Sequence, residues 1–468
     1  MPRQIVMARC RKRRESQSEG KMKRAEIDML GGSLTKNIFR FTIPVILTGV
    51  LQLLFNACDM AVVGQFAGSS ALAAVGATTY LTNLLVNTFL GLSIGVNVIA
   101  AQYVGAKNQE QLKKTVNTAI TVSLLSGILL AVIGICVSRI CLIYMNTPDN
   151  IIDQSLLYIR IYCLGSPAIM VYNFGAAILR AQGNTKQPLF YLACTGVINV
   201  ILNLILVIGF HLDVAGVAIA TLVSQVVSAI LVIRYLVRQK GAFHLDIRKL
   251  RIDKTILGRI LRVGIPAGLN NTVFSISNMQ IQSSINLFGS AAIAGCSAAT
   301  SIEGFVYAAT NSMHQAGINF TGQNVGAGRR DRVPKILRLC LLYAGLFGLV
   351  LGFAVYGLGR PLLSLYTHET ADIEYGMIRM AVLMLPYFLC GIMEAVAGVL
   401  RGLGYSVMPT VVTLVGACGF RIIWIQTIFK TWTSLEVLFL SFPISWVLTT
   451  IAHFIFYLVV AKKNRNML

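Results

Sequence analysis

The sequence predicts an all-α polytopic membrane protein, with twelve transmembrane helices in two six-helix lobes related by a pseudo-two-fold axis along the membrane normal. Three observations carry this reading: apolar runs recur along nearly the whole chain, basic residues collect in alternate loops, and the first half repeats in the second. Of 468 residues, 56% are hydrophobic and 12% charged. That balance excludes a soluble enzyme with a single anchor.

Residues 1–26 are polar and basic, as in Arg11-Lys12-Arg13-Arg14, and read as a cytoplasmic tail before the membrane, with Met22 as an alternative start. The apolar run from Ile38 to Phe66 is too long for the core of a cleaved signal and lacks a small-residue cleavage site. It is the first span. Hydropathy puts the others near 71–102, 113–143, 151–180, 187–210, 214–238, 257–288, 291–322, 335–359, 374–401, 407–429 and 435–461. Residues 27–239 then form the amino-terminal lobe, 240–254 a cytoplasmic linker, 255–461 the carboxy-terminal lobe and 462–468 a basic cytoplasmic tail. Spans of about thirty residues exceed the roughly 30 Å hydrocarbon core and should tilt or project from it. Pro44, Pro167, Pro266, Pro386 and Pro443 fall inside spans and are candidate kinks.

The net charge of +22 would suggest nucleic acid in a soluble protein. Here Lys107, Lys113 and Lys114, the stretch from Arg234 to Arg262, Arg329-Arg330-Asp331-Arg332 and Lys462-Lys463-Asn464-Arg465 all fall on one side of a twelve-span chain. The opposite loops around 67–70, 211–213 and 289–290 carry almost no Lys or Arg, and 367–374 is acidic. Positive residues stay inside, so both termini are expected in the cytoplasm of a multi-pass protein of the bacterial inner or plasma membrane, with no nucleic-acid partner.

Ile43-Pro44 and Phe66 recur 222 residues later as Ile265-Pro266 and Phe288. After a one-residue gap the offset is 221: Gln102, Val104, Gly105 and Ala106 match Gln323, Val325, Gly326 and Ala327, while Leu179, Arg180, Gly183 and Pro188 match Leu400, Arg401, Gly404 and Pro409. Six spans separate the copies, so the halves share orientation and form a parallel repeat, an arrangement suited to alternating access.

No catalytic constellation competes with transport. The ten cysteines contain no Cys-x-x-Cys, and those within spans, such as Cys58, Cys194 and Cys418, read as buried small apolar residues. The five histidines lack metal-ligand spacing, and no Gly-x-x-x-x-Gly-Lys-Ser/Thr loop is present. No metal or cofactor is expected beyond a coupling ion, H⁺ or Na⁺. The 41 glycines read as sites of close helix packing.

Of 18 Asp and Glu residues, Asp59, Glu303 and Glu394 lie deep in apolar spans. A carboxylate near the bilayer centre costs roughly 2.5–3.5 kcal/mol, so it normally faces a cavity or a partner. Their repeat counterparts are Ile281, Thr82 and Asn173; the halves share a scaffold and differ in their acids. Asp59 closes a helical face of Thr48, Gln52 and Asn56. Thr300, Glu303, Tyr307, Asn311 and His314 make a second polar stripe, and Asn271, Ser275, Asn278 and Gln282 a third. We take Asp59 with Asn199 and Asn203 as the ion-coupling group, and Gln52, Asn56, Asn278, Gln282, Glu303, Tyr307 and Glu394 as the wall of a substrate cavity. Such a cavity is expected to be acidic and to favour organic cations, which compete with the coupling ion for the same negative charge and stack on Tyr307. The alternative for isolated Ser, Thr or Asn is hydrogen-bond glue between helices.

The run Asn56-Ala57-Cys58-Asp59-Met60-Ala61-Val62-Val63-Gly64, followed by Ala71-Leu72-Ala73-Ala74-Val75, resembles the first-span signature of the multidrug and toxic compound extrusion (MATE) family. The paired Gln-x-Val-Gly-Ala and Leu-Arg-x-x-Gly motifs agree with it. The resemblance implies a twelve-helix antiporter driven by H⁺ or Na⁺ that exports amphipathic, often cationic compounds, with ion coupling at Asp59. This chain departs from the family where Asn203, Phe274 and Cys390 stand at positions that carry an acid in some members; Glu303 and Glu394 are expected to take over in the second lobe. Arg421 could snorkel outward or pair with an acid. The expected partners are small organic substrates and the lipid bilayer, with a monomer as the working unit. The rival readings are a flippase for lipid-linked sugars or other amphipathic lipids, and a membrane-embedded enzyme.

Overall fold

A computed structural model describes residues 26–145 and 147–463, and among these there is no strand. Of the predicted tails at 1–26 and 462–468, residues 1–25 and 464–468 lie outside the described residues. The helices, in order, are α1 (Leu34–Ala67), α2 (Ser69–Gly105), α3 (Gln109–Tyr144), α4 (Asp149–Leu164 and Ser166–Ala181), α5 (Lys186–Gly209), α6 (Asp213–Arg238), α7 (Lys254–Ile285), α8 (Ser290–Gly326), α9 (Val333–Gly357), α10 (Thr370–Met384 and Tyr387–Gly402), α11 (Val407–Phe429) and α12 (Leu435–Lys463). They coincide with the twelve predicted spans.

Eight of these helices are long and apolar enough to cross a membrane, and α4 and α10 qualify when their bent segments are joined. The other two, α7 with 32 residues and α8 with 37, are long enough, but Asn, Gln, Ser and Thr dilute their apolar windows. A helix that polar needs an aqueous or protein-lined face. Of the predicted kinks, two mark real breaks, 46° before Pro167 and 47° at Pro386. Pro44, Pro266 and Pro443 remain inside their helices. Helix starts have local causes: the Asn108 side chain accepts from the Gln111 amide at 3.1 Å, and Asp253 accepts from Thr255 and Ile256 at 3.0 Å each. Leu125, Ile128, Leu129 and Val132 of α3 point outward, an apolar surface that lipid would cover. Of the cysteines expected to be buried, Cys418 is, but Cys194 is half-buried and Cys58 is exposed.

The two halves exchange their leading helices. The first turns of α1 (Leu34, Ile38, Phe41) pack with Met313, Phe320 and Ile336 of the second half, and the first turns of α7 (Ile256, Ile260, Val263) pack with Val96 and Val98 of the first. Between α2 and α7 the backbones nearly touch, because Gly91-x-x-x-Gly95 faces Gly264-x-x-x-Gly268. A Cβ on Gly91 or Gly95 would collide with the opposing main chain.

Among the described residues, the hydrogen bonds that cross between the halves lie towards one end. Thr88 pairs with Thr272 at 2.8 Å, Asn97 with Gln315 at 3.3 Å, and Arg329 donates to the Leu30 carbonyl at 2.7 Å. Two others are equivalent under the repeat. Gln102 Nε2 donates to the Gly402 carbonyl at 3.2 Å, and Gln323 Nε2 donates to the Ala181 carbonyl at 2.7 Å. The motif Gln-x-Val-Gly-Ala of each half therefore grips the Leu-Arg-x-x-Gly segment of the other. Gly183 and Gly404 end those segments at φ +90° and +95°, a conformation that excludes most side chains, which accounts for the glycine in the motif. Residues 87–105, 259–272 and 315–332 all lie towards the end where residues 26 and 463 emerge. That end is closed by direct contact between the halves.

Candidate functional site

Two separate polar sites follow from this packing. The first lies inside the amino-terminal half, where α1, α5 and α6 meet. Asn203 Nδ2 donates to Asp59 Oδ1 at 2.5 Å and also approaches Asn199 Oδ1 at 3.3 Å; Asn199 Nδ2 reaches Thr221 Oγ1 at 3.4 Å. The Thr221 hydroxyl is also within reach of Asp59. Asn199 and Asn203 are buried, and Asn203 Oδ1 has no hydrogen-bond partner. A buried acceptor left alone beside a carboxylate is costly unless a proton or cation visits it. Both supporting helices loosen here: α1 passes into a π-helical turn at Val63–Ala67 and α5 at Leu204–Gly209, immediately beyond Asn203. Widened turns of this kind are frequent at functional sites.

The second is a cavity of about 750 Å³ between the halves, well within the range of small-molecule pockets. Gln52, Asn278, Gln282, Glu303, Tyr307 and Glu394 are on its wall, as are Thr48 and the rest of the α7 and α8 stripes. Asn56 and Asp59 are not. Asp59 sits eleven residues beyond Thr48, roughly 16 Å further along α1 at 1.5 Å per residue, and turns into its own half. The expected continuous face from Thr48 to Asp59 is thus divided between two sites.

The charge of the cavity is the reverse of the expectation. Its wall carries Arg180, Arg379, Arg401 and Arg421 against Glu303 and Glu394, and no other Asp, Glu or Lys. Four positive groups against two negative leave a formal surplus of two. Both glutamates are engaged. Glu303 Oε2 accepts from Arg379 Nη2 at 2.8 Å, and Glu394 Oε2 lies 3.0 Å from His314 Nδ1. Arg401 Nη1 contacts His314 Nε2 at 3.0 Å. A guanidinium has no acceptor, so His314 Nε2 is the accepting atom in the contact with Arg401. His314 thus bridges a carboxylate and a guanidinium.

Arg421 neither snorkels nor pairs with an acid. It is 2% exposed, its Nε donates to Ser445 Oγ at 3.1 Å, and its guanidinium lies 3.9 Å from the centre of the Phe442 ring. Arg379 lies 6.0 Å from the same ring. Arg379 is a site residue not among those expected from the acids; its position inside the span 374–401, just before the run Met380-Ala381-Val382-Leu383-Met384, marks it in the sequence. Arg180 and Arg401 were visible only as motif residues.

The family model MatE matches residues 44–205 and 266–426, one segment in each half. A Bacillus subtilis relative, "Probable multidrug resistance protein YoeA", is 29% identical over 442 residues, covering 92% of this chain and 95% of that one. A Shewanella oneidensis protein named "FAD transporter" is 24% identical over 396 residues, covering 82% and 86%. Among solved structures, the outward-facing conformation of a multidrug resistance MATE family transporter superposes with a TM-score of 0.85 at 21% identity, covering 94% of this chain and 98% of that one.

Proposed function

The chain belongs to the MATE family, and from that premise we propose that it is a secondary exporter that exchanges H⁺ or Na⁺, held at Asp59, for amphipathic organic compounds held in the central cavity. The family consists of transporters, not enzymes. The observation that carries the reading is the pairing of a buried acid site with a separate cavity between two halves that are closed at one end. For Na⁺, Asp59, the amide oxygens of Asn199 and Asn203 and the Thr221 hydroxyl supply the oxygen ligands. For H⁺, Asp59 is the acceptor.

Since Asp59 is off the cavity wall, ion and cargo do not compete for one carboxylate. Coupling runs through α1 instead. This helix holds Asp59 near one end, lines the cavity with Thr48 and Gln52, and inserts its first turns into the other half. An ion that binds better in one arrangement of α1 shifts the equilibrium between arrangements by that difference in affinity. The closed end carries the basic loops, so by the positive-inside rule it faces the cytoplasm and the conformation is outward-facing. A monomer suffices for this cycle, because both sites lie within one chain.

The relatives' names cover both drug resistance and FAD transport, so cargo class differs among them. A flippase for lipid-linked sugars is the runner-up, favoured by the basic cavity wall; dithionite-protected label on a reconstituted lipid would report it. The main test is export of dyes of both charges from proteoliposomes under separately imposed pH and Na⁺ gradients. Wild type should respond to one gradient and Asp59→Asn to neither. Gradient-driven export by Asp59→Asn at the wild-type rate would remove Asp59 from the coupling role.

A further inference from the structure

We propose that the central cavity takes an aromatic organic anion, with Arg421 gripping its carboxylate or phosphate and Phe442 and Trp446 flanking its ring. This rests on the exporter reading for the direction of transport, while the binding chemistry stands on the cavity itself. Each guanidinium carries five N–H donors, and the four on the wall make three side-chain hydrogen bonds among the described residues, to Glu303, His314 and Ser445. Most of that donor capacity is uncommitted.

Arg421 is the focal point. Around its head are Phe274, Phe442, Cys390, Cys418 and Ser445, and among the described residues no carboxylate lies within ion-pairing distance; the charge of Glu303, which acts on it from further away, is committed to Arg379. A buried cation without a counter-ion is expensive, and a bound anion offsets that cost through charge-assisted, bidentate hydrogen bonds that fit the planar fork of arginine. A cationic cargo meets the opposite situation. Both glutamates on the wall are already bonded to His314 or Arg379, so a cation entering would face a surplus of positive charge with no free carboxylate. The aromatic preference follows from Phe442 and Trp446, whose rings meet edge to face at 6.0 Å on the same wall.

The test is equilibrium binding to the full-length protein in lipid nanodiscs, using fluorescein and rhodamine 123, dyes that share a ring system and differ in the sign of their charge. Fluorescein should bind at least about ten-fold more tightly than rhodamine 123. Arg421→Gln should weaken fluorescein by roughly ten- to hundred-fold, the scale of a hydrogen-bonded charge, and leave rhodamine 123 unweakened; Arg421→Lys should fall between. Equal or tighter binding of rhodamine 123 by wild type overturns the proposal, and needs no variant to fold. So does unchanged fluorescein affinity in Arg421→Gln that elutes as a monodisperse protein. Displacement of fluorescein by flavin mononucleotide supports an aromatic anion; displacement by lysophosphatidylglycerol alone, which offers a phosphate without a ring, or by neither, overturns it. No gradient is applied, so this result and the Asp59 test can fail independently.

Discussion

The paired glutamines at the closed end offer a perturbation whose size can be worked out in advance. Gln102 and Gln323 each donate one hydrogen bond across the halves, to Gly402 and Ala181, at 3.2 and 2.7 Å. These bonds exist only while that end is shut; once the halves part, water replaces the partner on both sides. A neutral hydrogen bond of this kind contributes about 0.5–1.5 kcal/mol net, and Gln102 Oε1 also accepts from Arg259 Nη2 of the other half at 3.1 Å, so Gln102→Ala with Gln323→Ala removes at least roughly 1–3 kcal/mol from the closed arrangement. That shifts the conformational equilibrium by about 5- to 150-fold. Amide hydrogen exchange reads it directly: segments 100–106 and 321–327 should exchange faster by at least that factor, with Gln102→Ala, which also loses the bond from Arg259, contributing more than Gln323→Ala. Segments of α3 on the outer face serve as an internal reference. Unchanged exchange at both segments in the double variant would refute a role for the glutamines in holding the end shut. Equal acceleration in α3 would mean general destabilisation instead.

Glu303→Gln strands Arg379, which is buried, so it should destabilise the fold by about 3–5 kcal/mol; removing both charges in Glu303→Gln with Arg379→Met should recover much of the loss in thermal melts. Gly268→Leu drives a side chain into the main chain of α2 at Thr88 and Gly91. It should cost at least about 1–3 kcal/mol of closed-end stability, seen as faster exchange in 87–95, whereas the same change at Gly258, which faces open space, should be silent.

The spans, the repeat and the polar stripes on α7 and α8 were legible in the sequence, because each is written in a local pattern: apolar length, a matching offset, or helical spacing of side chains. The trio of Asp59, Asn199 and Asn203 was legible as well, since an acid and two amides inside apolar runs have few other uses. What local pattern cannot carry is which site a residue joins. Thr48 and Asp59 share a helical face, yet the length of helix between them puts one on the cavity and the other inside its own half. The sign of the cavity's charge was lost for a related reason. Glu303 and Glu394 are conspicuous in their spans, but their partners Arg379 and His314 come from other helices, with Arg401 behind His314, and only the folded arrangement reveals that they are already engaged. The exchange of leading helices leaves no mark in hydropathy; it depends on Phe41 meeting Phe320 and Ile260 meeting Val96 across the halves.

Keeping the acid in one compartment of the protein and the arginines in another has an electrical consequence. If the cargo were a monovalent cation exchanged for one H⁺ or Na⁺, a complete cycle would move no net charge, and the membrane voltage would do no work. With a monovalent anion leaving as a cation enters, two positive charges effectively travel inward per cycle. At about 2.3 kcal/mol per charge for each 100 mV, an inside-negative voltage of that size would supply about 4.6 kcal/mol, enough to sustain a cargo gradient of more than a thousand-fold with no chemical ion gradient at all.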